Sequence, residues 1–204
     1  MSHENGLVTF LRHYGPIPAG DNMYDELIQN EIDRHGINPV IHISPAKLGE
    51  VQANFSLAVP DNVILTGTAG DGKTFHCRQI WVSFGGDIEC WNAGEKIVSL
   101  VLPESGKTLT IVKDLSELTL DEKSVILANL ATSVVDKDSN HVYLVAANDG
   151  QLLASWRDWA ESQSDEERKI FKIVEDMLVD ERESDAALQV KLFNLSRLDA
   201  SEHF

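Results

Sequence analysis

The residues of this chain with the most specific chemistry lie between Gly67 and Thr74. This segment reads GTAGDGKT and satisfies the phosphate-loop pattern G-x-x-x-x-G-K-[ST]. Glycines let the backbone curl so that successive N–H groups point at phosphate oxygens, and a following helix adds the donors of its first turn. The segment therefore predicts that ATP is bound by Gly67, Thr68, Ala69, Gly70, Asp71, Gly72, Lys73 and Thr74.

Two side chains of this loop have further predicted roles. Lys73 can reach the β- and γ-phosphates as a point charge, so we also expect it to act in catalysis. The hydroxyl of Thr74 can take one coordination position of Mg²⁺. The alternative is a glycine-rich turn followed by an accidental Lys-Thr pair. The apolar strand predicted before the loop and the helix predicted after it argue against that alternative.

Phosphoryl transfer also needs a carboxylate near the magnesium ion. The apolar run 109–112 is predicted to be a strand, and Asp114 follows it after Lys113. This arrangement resembles a Walker B element, which would place Asp114 beside the metal, although Lys113 departs from the usual all-apolar run. The alternative is an ordinary aspartate at a strand end that caps the residues from Leu115 onward.

A third requirement is a group that orients the attacking water. Many hydrolysing relatives of such proteins carry a glutamate immediately after the aspartate, and Leu115 stands at that position here. Glu117 is the predicted replacement, provided that the chain turns after Asp114. Glu104, in the preceding turn, is a weaker candidate, and a solvated loop glutamate is the alternative for Glu117.

Asn148 is the predicted sensor of the γ-phosphate or of the attacking water. It follows the apolar segment 142–147, which is predicted to be a strand. Ligands of open α/β sheets bind at the carboxyl ends of the strands, where Asn148 would lie. The alternative is a simple turn, since Asn-Asp-Gly favours turns by itself.

The elements that must position these residues alternate between strands and helices. Strands are predicted at 63–66, 97–102, 109–112, 142–147 and 188–193, and helices at 73–83, 121–135, 151–161 and 165–179. This alternation predicts a mainly parallel five-stranded sheet covered by helices on both faces, the three-layer α/β class. The strand at 97–102 leaves room for a strand inserted between those of the loop and of Asp114, as in AAA-type ATPases.

Residues 1–60 are predicted to form an N-terminal arm and helical segment that packs on the core at 61–204. A helix is expected over about 23–35, and a short helix from Ser44-Pro45. We expect no helical lid domain between the last predicted strand and Phe204.

Charge and cysteine content restrict the partners. The chain has 17 basic and 33 acidic residues and a net charge of −16, so most of its surface repels nucleic acid. We therefore expect DNA to be contacted through partner proteins or further chain. The two cysteines exclude a disulfide framework and favour the cytoplasm, and no apolar run reaches the roughly 18 residues of a membrane span.

Several other residues have structural alternatives that we favour. His76, Cys77 and Cys90 lack a fourth ligand at regular spacing, so buried thiols are a better interpretation than zinc. Trp156 and Trp159 share one helix face and are expected in the core or an interface. Arg157 and Arg197 could contact phosphate, but ordinary surface ion pairs are the expected role.

The segments TGTAGDGKT, IVKDLSE and VYLVAANDGQL, with a late strand ending in LFNLSR, together resemble a known group of bacterial defence ATPases. These are the ATPase components of DNA phosphorothioation-dependent restriction systems, the DptF-like proteins. The resemblance covers about residues 60–197. It implies a P-loop ATPase with Gly67 to Thr74 on the phosphates, Asp114 on Mg²⁺ and Asn148 as sensor. It also implies a role in restricting foreign DNA with partner proteins.

The sequence thus predicts a magnesium-dependent ATPase module of a DNA-restriction or anti-phage complex. A nucleotide-dependent switch with little turnover is one alternative. A small-molecule phosphotransferase is another, against which the lack of an Arg-rich lid segment argues. We expect slow hydrolysis by the isolated chain, because Arg78 is the only arginine near the loop in sequence and lies inside the predicted helix. A second subunit, of this chain or of a partner, would then supply the missing charge.

Overall fold

A computed structural model describes residues 45–137 and 139–197. Its centre is a five-stranded sheet with strand order β2-β3-β4-β1-β5. The strands are β1 (Asn62–Thr66), β2 (Ile97–Val101), β3 (Thr108–Val112), β4 (His141–Ala146) and β5 (Val190–Asn194). All five strands predicted from sequence are present, with bounds that differ by one or two residues.

The sheet is mostly parallel, and the exception is the outer strand β2. β1 pairs in parallel with β4 and β5, and β3 pairs in parallel with β4. β2 pairs antiparallel with β3, because a short turn at 103–106 returns the chain directly beside it. A strand was predicted between the strand of the loop, β1, and the strand before Asp114, β3. That strand is β4, and β2 lies on the other side of β3.

Six helices flank the sheet in the described part of the chain. They are α1 (Leu48–Phe55), α2 (Lys73–Ser83), α3 (Ile88–Asn92), α4 (Leu120–Val135), α5 (Asp149–Glu161) and α6 (Asp165–Val179). Two short 3₁₀ turns, Leu115–Glu117 and Leu195–Arg197, follow β3 and β5. None of the helices in 45–137 and 139–197 is long and apolar enough to cross a membrane.

The two faces of the sheet carry separate apolar cores, because side chains of each strand alternate between them. One core joins Ile64 and Val145 to the buried faces of α4, α5 and α6. The other joins Val63 and Leu144 to α1, α2 and α3. Strands buried on both faces read as continuous apolar runs, which is why β1 and β4 are evident in the sequence.

Capping residues set the starts of the long helices. Thr119 and Glu122 form a capping box at α4, and Ser164 and Glu167 form one at α6. The start of the helix predicted at 165–179 is therefore confirmed. Helix α3 was not predicted, since it is only one turn long and is started by a single Asp87 cap.

Most of the predicted N-terminal segment falls outside the described residues, including the helix expected over 23–35 and Ser44. Helix α1 begins at Leu48, after Lys47 with a φ of 68°. Its Val51 and Phe55 are fully buried, and the Phe55 ring meets Phe84 edge-on at 6.4 Å. These contacts attach α1 to the face of the sheet that carries α2.

Candidate phosphate-binding site

The carboxyl ends of four parallel strands meet at one edge of the sheet. Register places Leu65 opposite Ala146 and Val112 opposite Val145. β5 extends the same edge on the other side of β1. The chain segments that leave this edge begin at Gly67, Lys113, Ala147 and Leu195, so three separate predicted site segments and the turn after β5 are brought together.

The loop after β1 has the backbone that its glycines predict. Gly67, Gly70 and Gly72 have φ of 140°, 92° and 79°, values that side-chain-bearing residues rarely adopt. Gly72 directly precedes α2, and among the described residues no side chain caps the start of this helix. The first turn of an uncapped helix presents backbone N–H donors and the positive end of the helix dipole, which together favour an anion.

Lys73 lies at the centre of the loop. Its side chain is largely buried, with 8% of the residue exposed. The ammonium Nζ donates to the carbonyl of Gly67 at 3.1 Å and to that of Thr68 at 2.6 Å. The side chain therefore turns back over the loop, where a phosphate group would meet it.

His76 fixes the other side of the loop. Its Nδ1 lies 2.8 Å from the carbonyl oxygen of Gly72, and its Nε2 lies 2.7 Å from that of Ala46. The imidazole thus joins the end of the loop to the segment that leads into α1. This contact explains a buried histidine in α2 without any metal.

Asp71 and Ser196 form a polar cluster with Thr68 that the sequence did not predict. One oxygen of Asp71 accepts hydrogen bonds from the backbone N–H of Thr68, from the Thr68 hydroxyl at 3.0 Å and from the Ser196 hydroxyl. The Ser196 hydroxyl in turn accepts from the N–H of Thr68 at 2.7 Å. Burial opposes ionisation, but these hydrogen bonds and nearby Lys73 hold the pKa of Asp71 below its usual value.

Asp114 lies at the predicted sheet edge, half-buried at the end of the β3 strand. One carboxylate oxygen accepts from the backbone N–H of Ser116 at 2.8 Å and so caps the 3₁₀ turn Leu115–Glu117. Asp114 also affects Cys77 in α2. Burial raises the pKa of the Cys77 thiol to about 12, and the negative charge of Asp114 contributes to this rise. The capping contact that was the alternative prediction is therefore present, and the place of Asp114 beside a metal ion stays a prediction.

Lys113, which interrupts the apolar run, is almost completely buried. Its Nζ donates to the carbonyl of Trp91 and lies 4.1 Å from the centroid of the Trp91 ring. The ammonium therefore ties β3 to α3, with the charge stabilised by a carbonyl and an aromatic face. This contact gives the lysine a structural role on the strand that carries Asp114.

Asn148 lies beside the loop, one residue beyond the backbone bond from the N–H of Ala147 to the carbonyl of Leu65. It occupies the cap position of α5, but its side chain makes no capping hydrogen bond. The next residue, Asp149, has one oxygen that accepts from the Asn194 amide at 3.0 Å. The amide of Asn148 is therefore positioned at the edge without being used to start the helix.

Two buried oxygens at this edge lack a hydrogen-bond partner among the described residues. They are Oγ1 of Thr66, immediately before the loop, and Oδ1 of Asp149. Buried polar atoms are nearly always satisfied, so each marks a position where water or a polar ligand group would bind. Sequence patterns gave no signal for either atom.

The two glutamates proposed to orient water differ in position. Glu117 lies at the correct edge but is exposed, and its backbone carbonyl accepts from Lys96 Nζ at 2.6 Å. Glu104 lies in the turn between β2 and β3, and Val101 pairs with Thr108, the first residue of β3. The turn is therefore at the opposite edge of the sheet, so Glu104 is excluded from the site.

The remaining predicted residues take structural positions. Trp156 and Trp159 are buried in the core, as expected, and Cys77 is a buried thiol, whereas Cys90 is exposed, contrary to the expectation for both cysteines. Arg157 pairs with Glu175 at 3.1 Å, and Arg197 pairs with Glu181.

Comparisons of the chain with protein-family models, with curated proteins and with solved structures find no match. The function must therefore be argued from the residues gathered at the sheet edge.

Proposed function

We propose that this chain is a magnesium-dependent ATP-binding module of the P-loop class that hydrolyses ATP slowly on its own. The observation that carries the proposal is the loop between β1 and α2. Its three glycines have positive φ, Lys73 turns back over it, and the start of α2 is uncapped among the described residues. This combination supports binding of a polyphosphate by backbone donors and one lysine.

The neighbouring residues would hold a metal ion together with the nucleotide. Within residues 45–137 and 139–197, no three His, Cys, Asp or Glu side chains are arranged to hold a metal ion. Magnesium at nucleotide sites is commonly held by one or two protein oxygens together with phosphate and water. Thr74 and Asp114 would supply those protein oxygens, and the bound ion would neutralise charge on the phosphates.

The roles of the other side chains follow from their places. Lys73 would bind the β- and γ-phosphates by exchanging its two carbonyl contacts for phosphate oxygens. Asn148, at the end of β4 between the strands of the loop and of Asp114, would hydrogen-bond the γ-phosphate or the attacking water. Glu117, three residues after Asp114, is the candidate general base at this edge. Its exposure to solvent does not favour that role.

A nucleotide-dependent switch with little turnover is the second candidate, and two observations favour it. Leu115, at the position where hydrolysing relatives carry glutamate, is fully buried in the core. The described arginines are also poorly placed for phosphate: Arg157, Arg168, Arg182 and Arg197 are ion-paired with carboxylates, and Arg78 lies inside α2. A missing arginine can cost roughly 10³- to 10⁵-fold in rate.

The biological role that we propose comes from the resemblance to defence ATPases. The chain would be the ATPase subunit of a DNA-restriction or anti-phage complex, working with other subunits or further copies of itself. The acidic chain, with a net charge of −16, supports contact with DNA through such partners.

The test is to measure ATP binding by isothermal titration with Mg²⁺, followed by steady-state hydrolysis across protein concentration and with added DNA. We expect saturable binding, slow turnover, and a specific rate that rises with concentration if a second copy completes the site. An absence of binding would overturn the proposal. Fast hydrolysis, independent of concentration, would show that one chain contains the complete site.

A further inference from the structure

The phosphate loop contains a carboxylate of its own that is folded against its backbone. A Cβ atom built on Gly67 would lie 2.6 Å from the Asp71 oxygen and 3.0 Å from the Ser196 hydroxyl. Only a glycine at position 67 allows this approach. The same oxygen accepts the Thr68 N–H, one of the backbone donors of the loop.

The carboxylate is held there from outside the loop. Ser196, in the turn after β5, donates to Asp71 and accepts from the Thr68 N–H. The backbone N–H of Ser196 is itself fixed by the Asn194 side chain at 3.1 Å. The serine hydroxyl is thus positioned to bridge the carboxylate and the loop.

We propose that Asp71 and Ser196 set the nucleotide affinity of the loop, with the carboxylate acting as a resident anion that the phosphates must displace. The inference rests on the proposed nucleotide binding and adds the residues that tune it. Lys73 is the nearest cation in the loop, and its charge acts on Asp71. Part of the positive potential available to phosphate is therefore already neutralised.

Charge distinguishes this role from that of a simple loop brace. A carboxylate within the loop stays inside the Debye length of about 10 Å from any phosphate bound there, so its repulsion is incompletely screened. Asp71→Asn removes the charge but retains a side-chain oxygen that can accept the same hydrogen bonds. If Asp71 only braces the loop, Asp71→Asn should not raise the affinity for Mg-ATP. If its charge opposes the phosphates, the same change should raise the affinity.

The experiment measures Mg-ATP affinity of the full chain by isothermal titration at low and at high salt. We expect Asp71→Asn to bind about tenfold more tightly than wild type, about 1.4 kcal/mol, with a smaller gain at high salt. Asp165→Asn is the matched control, because its side chain is 88% exposed on α6 and the same charge is lost. Circular dichroism confirms folding of each variant.

A second variant tests the serine. Ser196→Ala removes the bridge that retains the carboxylate, so we expect binding to tighten two- to threefold, as an estimate from the loss of one hydrogen bond. If either variant weakens binding, the cluster is a brace and the inference fails. An equal gain in Asp165→Asn would assign the effect to net charge and also overturn it.

The failure of this inference and that of the proposed function can be told apart. If wild type binds in a Lys73-dependent manner and Asp71→Asn binds equally well, only the inference falls. If neither protein binds Mg-ATP, both fall. Binding by Asp71→Asn alone would support both, since the resident anion would then block the wild-type loop.

Discussion

The phosphate loop and the Asp114–Glu117 segment both leave buried strands at the same edge of the sheet, but they are held in different ways. The loop is fixed by distant elements: Ser196 contacts Thr68 across 128 residues, and His76 reaches Ala46 across 30. The Asp114 segment combines a local contact with a nearer one: Asp114 caps the 3₁₀ turn that carries Glu117, and Lys96, 21 residues away, donates to the Glu117 carbonyl. The contacts that shape the half that would bind phosphate thus span more of the chain than those that shape the half that would support hydrolysis.

This difference predicts different functional effects for the two halves. Contacts from the turn after β5, from α2 and from the segment before α1 preorganise the loop, and preorganised donors bind an anion without further ordering cost. At the other segment, Leu115 enters the core and Glu117 remains exposed. We therefore expect changes in the loop to affect affinity strongly, and changes after β3 to affect turnover by amounts that fall with distance from Asp114.

The largest effect is expected for Lys73→Ala. Loss of the only loop ammonium removes its charge-assisted contacts to phosphate, so Mg-ATP affinity should fall roughly 100-fold. The fold should persist, because the hydrogen bonds that Nζ donates go to carbonyls of the loop itself. Titration together with circular dichroism checks both points, with Lys169→Ala, an exposed lysine on α6, as control. Unchanged affinity in a folded variant would remove the distinction between the two segments.

Asp114→Asn should act mainly on the chemical step. The metal contact strengthens as charge develops on the phosphates, so we expect turnover to fall roughly 30-fold while affinity changes less than threefold. Single-turnover hydrolysis and titration separate the two effects, and Asp165→Asn serves as control. A loss confined to affinity would mean that Asp114 belongs functionally with the loop.

Asn148→Ala should lower turnover by roughly tenfold, because one neutral hydrogen bond to the reacting phosphate or water is removed. The matched control is Asn140→Ala, since Asn140 precedes β4 at the opposite edge of the sheet and Asn148 follows it. Equal rates for both variants would show that the Asn148 side chain takes no part in the chemical step.

The sequence predicts structure most closely where the signal is local. The bounds of α2 and α6 were predicted to the residue, because a loop motif or a capping box marks their starts. Strand β2 is placed correctly along the chain, but the prediction of a mainly parallel sheet does not say which strand is antiparallel. The direction of β2 depends on the short turn to β3, which returns the chain beside it.

The candidate site also contains residues that local patterns predict and residues that only the fold brings together. Gly67 to Thr74, Asp114 and Asn148 were predicted from patterns and strand ends, and the sheet brings them to one edge. The contact from Ser196 and the bond between Asn194 and Asp149 depend on β5 lying beside β1. No spacing rule connects these residues, which is why they became visible only in the folded chain.

The smallest effect is expected for Glu117→Gln. Glu117 is exposed in a turn that Asp114 caps, and Lys96 contacts its backbone carbonyl. A general base must lie within hydrogen-bond reach of the proton that it takes, and an exposed turn residue is not enclosed at the site, so we expect turnover to fall less than about threefold with affinity unchanged. Glu104→Gln, at the opposite edge of the sheet, gives the baseline for loss of one carboxylate charge.

Steady-state assays of both variants at equal protein concentration make the measurement. If Glu117→Gln abolishes hydrolysis while Glu104→Gln does not, the turn must move to bring Glu117 to the phosphate, and the segment after β3 would be a complete part of the catalytic site.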